Sequence, residues 1–253
     1  MEASYASELL AYCRALAQAI RDRVIPALPA MARDAYHHLP DAARPTTDAW
    51  TDDFQRRIGE VKVEVAKKYS DDELRRIATR TGQSVADFNR RAVKEQFKRV
   101  VGLDVLLTEP YLRTALAGYQ MRNFELIKTI EQRQIARLNN VVAQGFAAGE
   151  RWENIAGEIE DTFDVSESDA ARIARDQVNK LNGELTRLRQ TELGIEKYVW
   201  STSQDDRVRE SHAEKEGKTF RWDDPPADTG HPGEDINCRC VALPVLPGED
   251  EEQ

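Results

Sequence analysis

The chain has 253 residues, of which 40% are hydrophobic and 32% are charged, and its net charge is -9. This composition is typical of a globular protein with a highly charged surface, and it excludes a fibrous or linker-type chain. No apolar run approaches the roughly 20 residues that span a bilayer, and the first 20 residues lack the pattern of a signal peptide. Together with an odd number of cysteines (Cys13, Cys238 and Cys240), this indicates synthesis in a reducing cytoplasm.

The first helix is predicted over residues 5–24, where leucine and isoleucine recur among alanines, and Pro26 and Pro29 are expected to end it. A stretch rich in Pro, Asp and Thr at 40–47 indicates a loop. A second helix is predicted over about 48–68, because its apolar residues follow each other at steps of three and four.

Serines and glycines indicate the next helix boundaries. Ser70 and Glu73 have the spacing of a capping box, which predicts the start of a short helix that stops near Gly82. A further helix is predicted to begin at Ser84 and to end at Gly102.

A long helix is predicted from residue 111, with Gly145 and Gly149 marking its end, and a compact amphipathic helix follows over 152–163. Ser166 or Ser168 is expected to cap the last helix of this helical body, and Gly194 to stop it. The apolar residues of this last helix alternate at steps of four and three, so we predict that they form a buried seam. The seam consists of Ala174, Val178, Leu181, Leu185 and Leu188.

Beyond residue 194 the pattern changes to short strands, predicted over 197–202, 219–222 and 238–246. Ser203 is expected to cap a helix over 204–216 that Gly217 ends, and residues 223–235 read as a loop rich in Pro, Gly and Asp. The predicted fold class is mainly α, with a long helical body followed by a small C-terminal α+β module.

Four segments are expected along the chain. They are an N-terminal helical region at 1–82, the helical body at 83–194, the α+β module at 195–247 and an acidic tail at 248–253. Charge is uneven along these segments, because residues 54–101 carry 13 Lys and Arg against 7 Asp and Glu, a net of +6. This basic stretch could contact nucleic acid weakly, although the acidic chain as a whole favours a solvated helix surface.

The module carries several motifs in a fixed order: Trp-Ser-Thr at 200–202, Asp-Asp-Arg-Val-Arg-Glu-Ser-His at 205–212, Gly-Lys-Thr-Phe at 217–220 and Cys-Arg-Cys at 238–240. In this order they resemble the C-terminal module of the phage Mu F-like minor head proteins. The motif residues are Trp200, Asp206, Arg207, Arg209, His212, Gly217, Cys238, Arg239 and Cys240. A looser resemblance extends upstream through residues 170–177 and 123–130 to about Gly82.

The resemblance implies a protein present in few copies per particle and associated with the portal vertex, which acts in head assembly or in DNA packaging and delivery. It implies portal and capsid proteins as partners and the virion as the place of action. No membrane partner is expected. We predict a structural protein rather than an enzyme, with two alternatives: a metal-dependent DNA-processing enzyme that uses the His/Cys module, and an accessory nucleic-acid-binding protein.

Four residues of the module could bind a metal ion: His212, His231, Cys238 and Cys240. Zinc prefers four such nitrogen and sulfur ligands in a tetrahedron. Against this, alternate residues of a strand lie about 6.6 Å apart, so both thiols could reach one ion only if the predicted strand bends. The alternative is that these residues pack and hydrogen-bond a small, loop-rich module. In either case we expect Cys238 and Cys240 to lie near His212.

A second cluster could indicate acid/base chemistry. On the predicted helix, Asp205, Arg209 and His212 would share one face. No nucleophile–base pair accompanies them, so an ion-paired structural role is favoured and no catalytic residue is predicted.

Overall fold

The computed structural model describes residues 1–36, 49–101 and 109–246. The predicted loop at 40–47, the helix end at Gly102 and the acidic tail at 248–253 lie outside these residues. The helices of the described residues are α1 (Glu2–Arg23), α2 (Leu28–Tyr36), α3 (Ala49–Lys68), α4 (Asp71–Val101), α5 (Leu112–Ala148), α6 (Trp152–Glu192) and α7 (Glu210–Ala213). The strands are β1 (Lys197–Ser201), β2 (Thr219–Arg221) and β3 (Val241–Val245). The predicted fold class, a long helical body followed by a small α+β module, is confirmed.

The chain forms two compact units, each built from separate stretches of sequence. The first contains residues 1–2, 78–123 and 174–253, and the second contains residues 3–77 and 124–173. Helices α4, α5 and α6 therefore each contribute residues to both units. The sequence-based boundaries at 82, 194 and 247 stay predictions.

The second unit buries one face of α1 against the helices that follow. Eight residues of α1 are buried: Tyr5, Leu9, Tyr12, Cys13, Leu16, Ala17, Ala19 and Ile20. At the polar margin, the Tyr12 hydroxyl donates to the Glu131 carboxylate over 2.9 Å, and the Arg14 guanidinium lies 3.0 Å from Glu167. The apolar face supplies the stabilisation, because exposed ion pairs contribute little.

The first helix ends at Arg23, close to the predicted end at residue 24, but the two prolines that follow lie in further helical turns. Pro26 lies in a 3-10 turn, Ile25–Ala27, and Pro29 lies in the first turn of α2, a helix that the sequence did not predict. Proline is tolerated there because the first backbone N–H groups of a helix have no partner within the helix.

The predicted stop near Gly82 is wrong, because α4 continues through this residue to Val101. A Cβ atom on Gly82 would lie 3.1 Å from the ring of Tyr119, so the glycine allows the close packing of α5. The start of this helix was predicted correctly: the backbone N–H of Glu73 donates to the Ser70 hydroxyl over 3.3 Å.

The predicted cap at Ser166 or Ser168 is also wrong, because α6 is a single helix of 41 residues. Ser166 is buried within it and donates its hydroxyl proton to Gln134 of α5. The predicted seam is confirmed for four of its five residues, which are buried, whereas Leu188 is half-buried. The helix ends at Glu192, and Gly194 follows with a φ of +78° that favours glycine.

The module contains an antiparallel sheet with the order β2-β1-β3. In the central strand β1, Tyr198 pairs with Phe220 of β2, and Trp200 pairs with Ala242 of β3. The third strand is shorter than predicted: Cys238 and Cys240 precede it in a segment without regular structure. The predicted helix over 204–216 is wrong apart from α7, because Gln204 has a φ of +52° and residues 205–208 form a turn with bends at its two ends.

Candidate functional site

The core of the module is built on β1, which directs Tyr198 and Trp200 to the same buried face. Trp200 is fully buried and its ring lies edge-on to the ring of His212, with 5.5 Å between the centroids. The buried core comprises Tyr198, Trp200, Trp222, Cys238, Cys240 and Ala242. The tryptophans of the module are therefore core residues rather than a surface for stacking bases.

His212, on α7, contacts both cysteines through one ring nitrogen. Its Nδ1 lies 3.4 Å from the Sγ of Cys240 and 3.6 Å from the Sγ of Cys238. All three side chains are buried, and their three ligand atoms lie within 4.8 Å of one another. The structure therefore brings together three of the four residues that the sequence marked as candidate metal ligands.

The two thiols can face one point because they do not lie on a strand. Asn237, directly before Cys238, has a φ of +55°, and its backbone N–H donates to Asp176 of α6 over 2.9 Å. This anchored turn changes the direction of the chain before β3 begins. The spacing of about 6.6 Å between alternate residues of a strand therefore does not apply to the two cysteines.

His231, the fourth candidate ligand, lies elsewhere in the module. Its Nδ1 is 2.9 Å from the Tyr198 hydroxyl, and its ring packs against that of Trp222 with 4.9 Å between the centroids. Burial lowers the pKa of His231, an effect that Glu234 opposes and Arg187 reinforces. His231 is thus a core residue. Its environment favours the neutral imidazole, and Nδ1 has the Tyr198 hydroxyl as its hydrogen-bond partner.

The other ring nitrogen of His212 faces a carboxylate. Its Nε2 lies 3.2 Å from Oδ2 of Asp235, and Arg209 donates to the same oxygen. Arg209 also donates to the backbone carbonyl of Ile236. Asp235 and Arg209 therefore fix the orientation of the imidazole and the start of the cysteine segment. The sequence predicted a role for Arg209 but gave no signal for Asp235, which lies in the loop rich in Pro, Gly and Asp.

Hydrogen bonding polarises the cysteine pair. The Cys240 thiol stabilises a thiolate on Cys238, and the backbone N–H of Gly233 donates to that sulfur over 3.3 Å. These contacts lower the pKa of Cys238 although burial opposes the shift. The pKa of Cys240 is raised, mainly by its hydrogen bond to Cys238 and then by burial.

The remaining motif residues hold the loops or face solvent. Asp205 accepts two hydrogen bonds from the Arg239 guanidinium, at 2.5 and 2.6 Å, and this contact lowers the pKa of the carboxyl group. Asp206 and Arg207 are exposed. The shared helix face predicted for Asp205, Arg209 and His212 does not exist, because Asp205 pairs with Arg239 and the other two meet at Asp235.

Gly217 turns the chain from α7 into β2. It has a φ of +72°, and its N–H donates to the carbonyl of Trp200 over 2.9 Å. A glycine at this position lets β2 return beside β1 and places Phe220 against the ring of Trp200. The glycine of the motif therefore has a structural role.

A cavity of about 310 Å³ opens beside the histidine and the cysteines. Residues on its wall include His212, Cys238, Cys240, Ser203, Arg175 and Arg239. The arginines are balanced within the same unit, since Arg175 lies 3.1 Å from Glu2 and Arg239 pairs with Asp205. The cavity is thus polar and borders the three candidate ligands.

The basic stretch at 54–101 is partly neutralised by carboxylates on its own helices. Arg56 pairs with Asp53 and lies 2.8 Å from Glu60, while Lys67 lies 2.7 Å from Glu64. Such pairs at spacings of three and four residues are typical of a solvated helix surface. None of the helices in the described ranges has the length and apolar character required to cross a membrane.

Part of the chain matches a known protein family. Residues 136–243 match the family described as Phage Mu protein F like protein. This range contains the end of α5, all of α6 and the module up to Leu243. Every motif residue from Trp200 to Cys240 lies within it.

Three curated proteins are similar to the chain. An uncharacterised protein of Haemophilus influenzae is 42% identical over 166 residues, which cover 64% of this chain and 37% of that protein. The minor head protein GP7 of Bacillus phage SPP1 is 26% identical over 142 residues, covering 49% of this chain and 46% of GP7. The NAD(+)–arginine ADP-ribosyltransferase EFV of Enterococcus faecalis is 30% identical over 128 residues, covering 45% of this chain and 26% of the transferase.

The chain thus spans less than half the length of each of these relatives. No solved structure matches the chain.

Proposed function

Because the chain belongs to the Phage Mu protein F like family through residues 136–243, we propose that it is a minor head protein of a tailed phage or prophage. In this proposal it is a virion component that binds the portal and capsid proteins and acts in head assembly or in DNA packaging and delivery. The observation that carries the proposal is the family match over one continuous range that holds every motif residue of the module.

The relative with a named role in the particle supports this proposal. The minor head protein of phage SPP1 is similar over 142 residues, close to half of each chain. The structure adds that the motif residues serve the integrity of the module, since Trp200 and His212 are buried and Arg239 and Arg209 hold loops. Residues used in this way suit a module that assembles into a particle.

We propose that the chain itself is not an enzyme. The similarity to the ADP-ribosyltransferase covers 26% of that protein and leaves most of it unmatched. An assay for hydrolysis of NAD⁺ and for ADP-ribosylation of arginine by the purified chain tests this point, and turnover above a heat-inactivated control would contradict it.

The proposed function is tested by deleting the gene in a host that produces particles and inspecting the lysate. We expect defective heads, or full heads that deliver DNA poorly, while DNA replication continues. Complementation by the wild-type gene should restore infectivity. Normal heads with full infectivity after deletion would overturn the proposal.

Partner binding is tested by co-expression with the portal and capsid proteins encoded beside the gene. We expect the chain to co-purify with a tagged portal protein at a fixed ratio that survives high salt. A salt-sensitive association that disappears after nuclease treatment would instead favour contact with DNA through residues 54–101, the accessory nucleic-acid-binding alternative.

A further inference from the structure

Three buried side chains of the module direct ligand atoms to one point. The atoms are Nδ1 of His212 and the two sulfurs of Cys238 and Cys240. One buried histidine and two buried cysteines at such short range form a donor set that suits a borderline-soft divalent cation better than a hard one.

The two nitrogen–sulfur distances of the group match those that zinc imposes on its ligands. With Zn–N of about 2.0–2.1 Å and Zn–S of about 2.3 Å, a tetrahedral ion separates nitrogen and sulfur by about 3.5 Å. In the protein Nδ1 lies 3.4 Å from one sulfur and 3.6 Å from the other. The ligands could therefore hold the ion with little movement.

The surroundings of His212 also fit a metal ligand. A histidine that ligates through one ring nitrogen usually donates its other N–H to a carboxylate or carbonyl, which fixes the tautomer. Here Nε2 lies 3.2 Å from Asp235, and Arg209 holds that carboxylate in place. This arrangement leaves Nδ1 as the acceptor that faces the sulfurs.

We propose that His212, Cys238 and Cys240 bind one zinc ion, with Asp235 orienting the histidine and the fourth position of the tetrahedron open to the adjacent cavity. Any thiol that is protonated beforehand releases its proton to water as its sulfur binds the metal. The ion would connect α7 to the segment before β3 and so would cross-link the two ends of the stretch from 213 to 237.

The first test measures metal bound to the full chain after purification from medium supplemented with zinc. We expect about one zinc ion per chain, and a loss of at least about tenfold in Cys238→Ser, Cys240→Ser and His212→Ala. Cys13→Ser is the matched control, because Cys13 is also buried but lies in the other unit, where its sulfur is 3.6 Å from the Ser166 carbonyl. This variant should retain the metal.

The second test uses the wild-type chain, so that a folding defect in a variant cannot imitate loss of metal. Replacing zinc by cobalt should give the visible bands of tetrahedral Co²⁺ with the near-ultraviolet charge-transfer band of thiolate ligands. A strong chelator should remove the bands and lower the melting temperature of wild type and Cys13→Ser alike.

Three outcomes would overturn the proposal. They are a wild-type chain without zinc that also fails to give the cobalt spectrum, cysteine variants that retain the metal, and a Cys238–Cys240 disulfide found by thiol counting under denaturing conditions. Metal is measured on the purified protein, whereas the head phenotype is measured in lysates. The failure of one proposal is therefore distinguishable from the failure of the other.

Discussion

The carbonyl oxygen of Pro232 lies 2.5 Å from the position that a Cβ atom would take on Gly183 of α6. The Cα atom of Gly233 is 3.2 Å from the same position. The loop that precedes the cysteines thus rests directly on the backbone of the helix. A side chain of any size at Gly183 would force the loop outward, because both neighbouring groups are backbone.

We expect Gly183→Ala to lower the free energy of unfolding by about 1–3 kcal/mol, as overpacking at a closed contact does. Gly157→Ala is the control, since Gly157 is an exposed glycine of the same helix with open space around it. There the change should stabilise by about 0.5–1 kcal/mol. Urea unfolding of both variants measures the difference, and equal effects would contradict the packing argument.

Leu181 should be among the costliest positions of the buried seam. Its side chain is 1% exposed, so Leu181→Ala is expected to lower the free energy of unfolding by about 2–5 kcal/mol through lost burial and an unfilled cavity. Leu188→Ala, at the half-buried end of the same seam, should cost clearly less. If denaturant unfolding gave the two variants the same midpoint, the seam would not be a packed core.

Arg189 is a buried cation whose partners come from other elements of its unit. Its guanidinium lies 2.6 Å from Glu109 and donates to the side chain of Asn89, and the arginine side chain is 0% exposed. Arg189→Ala should lower the free energy of unfolding by about 3–5 kcal/mol, because it leaves a carboxylate without its charge partner. Thermal and urea unfolding measure the effect.

Arg172 provides the matched control on the same helix. It is 47% exposed and lies 3.4 Å from Asp169. Arg172→Ala should change the free energy of unfolding by less than about 1 kcal/mol, as is usual for surface ion pairs. A similar loss for both arginines would mean that the burial of Arg189 is not what matters.

Stability should fall as the pH drops below the ordinary pKa of histidine, in part through His231. Burial lowers the pKa of His231 from its usual value near 6.5, so the folded state favours the neutral ring. The unfolded chain then binds the proton more readily, and stability is complete above about pH 6.5 and is lost as the pH falls through the folded pKa.

His231→Phe removes this titration and keeps a ring against Trp222. Unfolding free energies measured between pH 8 and 5 should fall less steeply in the variant than in the wild type. An unchanged slope would show that His231 does not titrate differently in the two states.

Local sequence patterns located several true helix ends, but they also predicted ends at residues that lie inside helices. The capping pair at Ser70 and Glu73 is present, and Gly149 and Gly194 end helices as expected. Gly82 and Ser166 were misread as boundaries. Each meets a distant residue, Tyr119 in one case and Gln134 in the other, and such contacts leave no local trace in the sequence.

The candidate site was predictable as a set of residue types but not as a geometry. Cys238 and Cys240 were expected on a strand, where they would lie about 6.6 Å apart and could reach one ion only if the strand bent. The turn at Asn237, held by Asp176, removes that difficulty, and the side chain that orients His212 is Asp235. Both carboxylates act through tertiary contacts, so neither the spacing nor the composition of the module could identify them.

The partners of α1 determine when the N-terminal part of the chain can fold during synthesis. Arg14 and Arg21 pair with Glu167 and Glu160 of α6, about 140–150 residues later in the sequence. At about 5–20 residues per second, a ribosome needs roughly 8–30 s to make that stretch. During this interval the apolar face of α1 can meet α3 but not α6. The part of α1 that packs on α6, at Cys13, therefore stays uncovered until that helix is made. A chaperone would have this surface to bind during that period.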